Sequence, residues 1–509
     1  MLIMENFLDK KLILNPYYSL RNDRKRILLC KSPSFKVPLD IAEDDIFVFI
    51  HPAFAIVFSF FDGVHTLRDC LNKISAIFNS SPEESFEFVK PFIENFSRVG
   101  IEYDGVFFEF PKNILLDNGD GKFQVREEMD YHELLIDEEL DFFTNRLYEG
   151  PSTIRLLVNT VCATDCVYCY VDRRIKDNCK IPVERLIEII HEAKKMKVVD
   201  FDIAGTEIFM YKHWDILIAE LVKNGYYPYL STKLPISEEA VIKLKTIGIH
   251  DLQLSIDTVD EGESLIINKI KKEGYIDQIF QTLSNLEKHG LNVAINVVLT
   301  KYNSTKEGIS SLLNKINRYK NIERVTFNPA ERSLGCSGNE FDIFKNQAFE
   351  LDELRTFVYH LEAKMDFEIA FADYLDKSEF VADFDEKLKK HNSRAMCSAN
   401  VSQLCILNDG QVTICEELYW NKQFLIGNVI GNTIEEVWKS DKALALANLS
   451  RNVFSDQSNC KTCRNFEDCR LTKGVCWSNV LMAYGEENWD YPSPNCPYSP
   501  TLIHSIHHD

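Results

Sequence analysis

This 509-residue chain has no run of eighteen apolar residues, so it lacks the hydrocarbon length that a membrane-crossing helix needs. Its start, Met1-Leu-Ile-Met-Glu5, lacks the basic residues and apolar core of a secretory signal. It is also short of positive charge: 57 Lys and Arg stand against 78 Asp and Glu, a formal net charge of −21. Phosphate backbones demand a basic surface, which argues against nucleic acid as a partner. Arg21, Arg24, Lys25 and Arg26 are where a local basic patch would form. These absences predict a cytoplasmic protein with no membrane and no nucleic-acid partner. What is present is a globular balance of 45% hydrophobic and 27% charged residues, on a length that suggests three domains. Fifteen cysteines without an export signal point to metal rather than disulfides.

The stretch Asn159-Thr-Val-Cys-Ala-Thr-Asp-Cys-Val-Tyr-Cys-Tyr170 organises the chain. Cys162, Cys166 and Cys169 are spaced C-x3-C-x2-C, with Tyr168 before the third. Three thiolates this close cannot share one face of a regular helix or strand. They suit a loop wrapped around a polynuclear iron–sulfur centre, fed by the apolar strand Leu156-Leu-Val158. A cubane has four irons, so three ligands leave one iron open. A zinc site or buried free thiols are the bland alternatives, but zinc prefers paired C-x2-C knuckles and a fourth protein ligand.

The motif resembles the signature of the radical S-adenosylmethionine (SAM) enzymes. That resemblance implies a 4Fe–4S cluster whose open iron chelates SAM, and reductive cleavage of SAM to a 5′-deoxyadenosyl radical. It also implies an external electron donor such as flavodoxin or ferredoxin. From 154 to about 340 the pattern alternates. Apolar strands at Ile154–Val158, Val199–Ile203, Tyr227–Ser231, Leu252–Ile256, Val293–Val297 and Val325–Phe327 are separated by amphipathic helices at Val183–Lys197, Asp215–Lys223, Glu238–Thr246, Asp277–His289 and Ser304–Tyr319. Six β/α units predict an α/β fold with a parallel sheet curled into a partial (β/α)6 barrel, its ligands at the carboxyl ends of the strands. There Ala204-Gly205-Thr206-Glu207 resembles the family's Gly-Gly-Glu motif for the SAM amino group, with Thr in place of the second glycine. Ser255 and Asp257 alternate onto one face, and their counterparts in the family contact the SAM ribose and carboxylate. Asn296 and Ser231 are further strand-end candidates.

Residues 12–110 read as short strands, three helices and a terminal β-ribbon. The helices are Pro52 to Phe61, Leu67–Phe78 capped by Thr66, and one starting at Ser81-Pro82; the ribbon turns at Asp104-Gly105. This order predicts a winged helix–turn–helix. With Phe60-Phe-Asp-Gly-Val-His-Thr-Leu67 at its hinge, it resembles the peptide-recognition element of ribosomal-peptide maturation enzymes. The resemblance implies a partner, a ribosomally made precursor peptide whose leader adds as a strand to a sheet edge. Residues 113–150 read as an acidic bridge with a helix over Asp137–Tyr148, and 341–396 as a helical linker around Glu350–Lys364.

The remaining cysteines gather in 397–509. Cys397, Cys405, Cys415 and Cys476, and Cys460, Cys463, Cys469 and Cys496, resemble the interleaved ligand sets of the C-terminal SPASM extension of peptide maturases. That implies two auxiliary 4Fe–4S clusters, three clusters in all; zinc is the competing reading for C-x2-C pairs. The gap from Cys469 to Cys476 departs from the family's shorter spacing. Glu416 follows Cys415, and an acid at this place in related enzymes takes the proton released as the substrate radical collapses; Glu417 is its rival. Cys30 and Cys70 sit on apolar patterns and read as core residues. The implied function is a peptide maturase that installs a thioether or carbon–carbon cross-link. The alternatives are a modifier of folded protein, like the sulfatase maturases, and a zinc-containing peptide-binding scaffold without enzymatic activity.

Overall fold

The structure, a computed structural model, describes residues 5, 7–32, 42–43, 46–126, 129–171, 176–270, 273–381 and 383–509. Residues 1–4, at the start read for an export signal, and Glu127 and Glu128 of the acidic bridge lie outside the described residues. Among those described, no helix is long and apolar enough to cross a membrane. Contacts divide the chain into two compact units: residues 1–152 with 196–200 and 225–227, and the remainder.

The first unit runs β1 (Lys11–Leu14), β2 (Tyr18–Asn22), β3 (Ile27–Lys31), β4 (Phe47–Ile50), α1 (Pro52–Ser59), β5 (Asp62–Thr66), α2 (Leu67–Phe78), α3 (Pro82–Val89), β6 (Val99–Tyr103), β7 (Val106–Phe110) and β8 (Leu115–Asp117). Two antiparallel three-stranded sheets form, in the orders β5-β1-β8 and β2-β3-β4. Helix boundaries follow local chemistry. Thr66 with Asp69, and Ser81 with Glu84, close reciprocal capping boxes at the starts of α2 and α3. The β6–β7 hairpin turns at Asp104 and Gly105, both at positive φ (50° and 73°), as a tight two-residue turn requires. Helix α1 is buried on every side, because Phe54 and Phe58 pack edge-on against Phe92 and Phe110 with ring centroids 4.8–6.0 Å apart.

Two expectations fail in this unit. Arg21 to Arg26 makes no basic patch. Arg21 is buried and donates to the carbonyls of Gly150 and Pro151 at 2.8 and 2.9 Å. Arg26 is fully buried, paired with Asp23 at 3.0 Å and stacked 3.4 Å over the Phe49 ring. The helix expected at Asp137–Tyr148 is absent. Asp141 instead accepts from the backbone N–H of Phe143 and Thr144, a local turn that competes with helix. Arg26 also donates to the carbonyls of Thr144 and Arg146, which a helix would have used itself.

In the second unit the predicted alternation is present. The strands are β9 (Thr153–Leu157), β10 (Asp200–Ala204), β11 (Ser231–Thr232), β12 (Asp251–Ser255), β13 (Asn292–Leu299) and β14 (Ile322–Pro329), with helices Val183–Lys195, Trp214–Lys223, Glu238–Ile247, Tyr275–Lys288 and Lys306–Ile316 between them. Strands β11 to β14 pair in parallel and in order. The ladder differs from a continuous six-stranded one in three ways. β11 shrinks to two residues and β10 does not pair with it. Pro228, inside the predicted strand, has no N–H to donate. β15 (Glu368–Phe371), in the stretch read as a helical linker, joins β14 in parallel, after the helix Ala348–Glu362. And β16 (Gln403–Ile406), from the Cys-rich region, pairs in parallel with β9 and carries β17 (Gln411–Thr413) and β18 (Leu425–Asn428) beside it. The first barrel strand and the strand bearing Cys405 therefore share one sheet, so the Cys-rich region is covalently and by hydrogen bonds continuous with the cluster loop.

Candidate active site

The loop after β9 and the carboxyl ends of the following strands enclose a cavity of about 650 Å³. Cys162, Cys166 and Cys169 line it. Cys162 and Cys166 stand within 3.2 and 3.4 Å of the Thr164 hydroxyl, and Asn268 donates to Cys166 Sγ at 3.4 Å. Among the described residues no three His, Cys, Asp or Glu side chains converge on one point as a single ion requires. The thiols instead stand around a space.

Gly205, Thr206, Glu207, Ser231, Ser255 and Asn296 line the same cavity. Gly205 has φ +97°, and a Cβ there would lie 1.8 Å from Leu157 Cδ1, so this position must be glycine. The Thr206 hydroxyl is tied back to the Asn159 carbonyl at 2.5 Å. Glu207 is 3% exposed. It accepts from the Thr232 hydroxyl at 2.9 Å and from the Lys233 backbone at 3.2 Å, and among the described residues no cation pairs with it. Burial lifts its carboxyl to about 7. A buried carboxylate with neutral donors only is a place prepared for an ammonium group. With three thiols and a rim of strand-end hydroxyls and amides, these residues fit a cluster holding SAM.

Asp257 is placed differently from expectation. Asp257 is buried beneath the cavity wall, where Lys233 Nζ lies 2.6 Å away and Asn268 donates at 2.7 Å. Tyr168 lines the cavity while its hydroxyl donates to the same carboxylate and meets Lys233 Nζ at 2.7 Å. Burial opposes both charges, but mutual attraction outweighs it, leaving the Lys233 ammonium above and the Asp257 carboxyl below their ordinary ranges. Lys233 lines the cavity and was missed in the sequence. Its only signal there was a Lys two residues past a strand-end serine.

Glu416 and Glu417 separate. Glu417 lines the cluster cavity, as do Cys476 and Asn479. Glu416 turns to a neighbouring cavity of about 440 Å³ with Asp202 and Tyr170, and is ion-paired to Arg155. Burial raises its carboxyl, and Arg155 offsets part of that.

Further along, Cys460, Cys463, Cys469 and Cys496 line one cavity of about 340 Å³. Cys397 and Cys476 line another, of about 480 Å³. Cys415 is close enough to feel the charges of Cys397 and Cys476, and Cys405 that of Cys415. The longer gap before Cys476 is taken up by a helical turn over Asp468–Lys473 ending at Gly474, at φ +66°. Both four-thiol groups suit polynuclear clusters.

Residues 156–311 match the radical SAM superfamily, and residues 397–469 match the iron–sulfur cluster-binding SPASM domain. The chain thus carries a radical SAM region and, beyond it, a SPASM region. Among curated proteins it is 24% identical over 162 residues to the "Probable GTP 3',8-cyclase" of Pyrobaculum aerophilum, covering 31% of this chain and 52% of that protein. The chain thus spans about half the length of that relative. It is 23% identical to the mycofactocin maturase MftC of Mycolicibacterium smegmatis, over 68% of this chain and 83% of that one. Among solved structures, Streptococcus suis SuiB bound to S-adenosylmethionine superposes with a TM-score of 0.62 at 15% identity, over 95% of this chain and 99% of SuiB. SuiB bound to its precursor peptide SuiA superposes with 0.60 over 95% and 98%. The shared fold therefore extends through the N-terminal unit.

Proposed function

We propose that this radical SAM enzyme is a maturase of a ribosomally made precursor peptide. The observation that carries the reading is the composition of one cavity wall: the thiols of the 162–169 loop, the unpaired Glu207 carboxylate, and Glu417 and Cys476 from the SPASM region all face the same space. A site for a bound cofactor and a site for an oxidised product are thereby adjacent. Structural kinship with a protein crystallised on its precursor peptide, and sequence kinship with a peptide maturase, support the substrate class.

In this reading Cys162, Cys166 and Cys169 would hold a cluster that, with SAM bound, would supply the radical chemistry needed to take hydrogen from the peptide. Glu207 accepts from the SAM amino group. Ser255 and Asn296 face the rest of that ligand, and Gly205 lets the backbone approach it. Tyr168 is pinned by Asp257 and Lys233, which fixes the ring beside the cluster loop. Glu417 accepts the proton lost when the new bond closes, since it faces the cavity, whereas Glu416 is held away by Arg155. Two further 4Fe–4S clusters sit on Cys397, Cys405, Cys415 and Cys476, and on Cys460, Cys463, Cys469 and Cys496. The N-terminal unit, with three helices followed by the β6–β7 ribbon, acts as a winged-helix recognition domain that takes the leader as an added strand. A flavodoxin or ferredoxin supplies the electron.

The test is anaerobic incubation of reconstituted enzyme with SAM, reductant and the short peptide encoded beside its gene. The expected product has lost two hydrogens, and the same peptide without its leader reacts only at higher concentration. Cleavage of SAM without any change in peptide mass, with and without leader, would sink the assignment.

A further inference from the structure

The cavity of Cys460, Cys463, Cys469 and Cys496 is walled by cations. Arg470 is 8% exposed, and its Nη2 donates to Cys460 Sγ at 3.0 Å and to the Tyr491 carbonyl at 2.7 Å. Its guanidinium is held between the rings of Phe454 and Trp477, 5.1 and 4.9 Å from their centroids. Yet its Nε and Nη1 are buried without any partner. Arg394 donates from Nη2 to Cys469 Sγ at 3.1 Å and to the Gly474 carbonyl at 2.8 Å. His391 Nε2 lies 3.4 Å from the same sulfur. Burying a guanidinium is costly unless anionic or accepting groups face it, and neutral thiols are poor acceptors. The arrangement makes sense when the sulfurs belong to an anionic cluster whose charge the guanidiniums offset.

The other four-thiol group is built differently. Around Cys397, Cys405, Cys415 and Cys476 the side-chain partner of a sulfur is the Ser478 hydroxyl, 3.2 Å from Cys476. No guanidinium among the described residues donates to these four sulfurs. Arg155, a cation whose charge reaches Cys405, is engaged by Glu416. The groups are also ordered in space. Cys476 lines both the SAM cavity and the cavity of Cys397. Arg394 and His391 line both that cavity and the one beyond it.

Hydrogen bonds and positive charge at cluster sulfurs favour the reduced, more negative state and raise the reduction potential. We propose that Arg394 and Arg470 set the cluster on Cys460, Cys463, Cys469 and Cys496 at a higher potential than the cluster on Cys397, Cys405, Cys415 and Cys476. The distal cluster is then the sink of the electron path, an inference that rests on reading both groups as 4Fe–4S ligands. Closing the product bond releases one proton and one electron from the peptide radical. The electron passes through the nearer cluster and reduces the farther one by one unit, and an oxidised soluble one-electron carrier protein removes it. Arg394 and Arg470 are positioning residues here, since neither faces the substrate cavity.

The test is a potentiometric titration followed by electron paramagnetic resonance, on full-length reconstituted protein with iron counted in each sample. In Arg470→Met and Arg394→Gln, one auxiliary signal should move to lower potential while the other and the SAM-cluster signal stay in place. Arg394→Lys, which keeps the charge, should recover part of the shift. Arg394 is half-buried, so its variants carry the test if Arg470→Met loses its cluster. Full iron content with unmoved midpoints overturns the inference and leaves the enzyme assignment standing. Zinc in place of auxiliary iron in the unmodified protein overturns both.

Discussion

The SAM cavity and the distal SPASM cavity both gather cysteine thiols, yet they are finished with opposite charges. The first holds a buried carboxylate, Glu207, with which no cation among the described residues pairs; the second holds two guanidiniums bonded to sulfur, Arg394 and Arg470. Their construction differs too. The SAM cavity is made by the ends of parallel strands, which bring Gly205, Ser231, Ser255 and Asn296 to one level from distant sequence positions. The distal cavity is made by turns and short helices between 391 and 498. A site open to an exchangeable cationic ligand keeps its anion unpaired, whereas a site closed around a permanent anionic group carries its counter-charge in the wall. The second site can be completed within one domain; the first must wait for its ligand.

Replacing Cys162, Cys166 and Cys169 together with Ala should break one side of this contrast and spare the other. SAM cleavage should vanish and about four irons per chain should be lost, one cubane, with the auxiliary signals intact. Anaerobic iron and sulfide analysis reads this directly; loss of all iron at once would show that the two cavities are not independent. Glu417→Gln tests where the proton goes. Cross-linked product should fall about a hundredfold, the usual size of a lost general base, while 5′-deoxyadenosine still forms with peptide present. Glu416→Gln should do less; the reverse ranking would return the role to Glu416.

The unpaired carboxylate makes a sharper demand. Glu207→Gln should weaken SAM binding by about 2 kcal/mol, the scale of a charged hydrogen bond, as read by equilibrium binding without reductant. In the intact protein the Glu207 carboxyl sits at about 7 before SAM arrives, and its ionised form is the stronger acceptor for the SAM amino group. Affinity should therefore be steady above pH 7 and fall by about tenfold per unit below it, because protons then compete with SAM. A flat profile between pH 5 and 8, within experimental error, would mean that Glu207 does not meet the amino group. The smallest effect belongs to Thr232→Val. It removes one neutral donor, 2.9 Å from Glu207, and should weaken SAM binding by about 1 kcal/mol while moving the pH midpoint upward. An unmoved midpoint would mean that the Thr232 hydroxyl does not support the charge.

Much of the chain was legible where its signals are local. Helix and strand periods between 154 and 340, the C-x3-C-x2-C spacing and the two capping boxes are all settled by residues within a few positions of one another. Where reading failed, a distant partner had decided the outcome. The Asp137–Tyr148 segment has helical composition, but Arg26 takes its carbonyls from more than a hundred residues away. The run Arg21–Arg26 is basic as written, but two of its members are sealed in the core by acceptors outside the run or across a turn. Asp257 alternates with Ser255, but Lys233, Tyr168 and Asn268 claim its carboxylate below the wall.

The sequence by itself determined the chemistry this protein can carry. Thiol spacing defines which metal centres can form, and strand–helix alternation forces their ligands toward the strand ends. Only the tertiary structure decided which charges those centres meet. It left Glu207 without a cation partner among the described residues, turned Glu417 rather than Glu416 to the cavity, and set Arg394 and Arg470 against the distal sulfurs. Those outcomes depend on pairings between groups far apart in the chain, and a sheet's register, shared here by β9 and β16, fixes them only once the fold has closed.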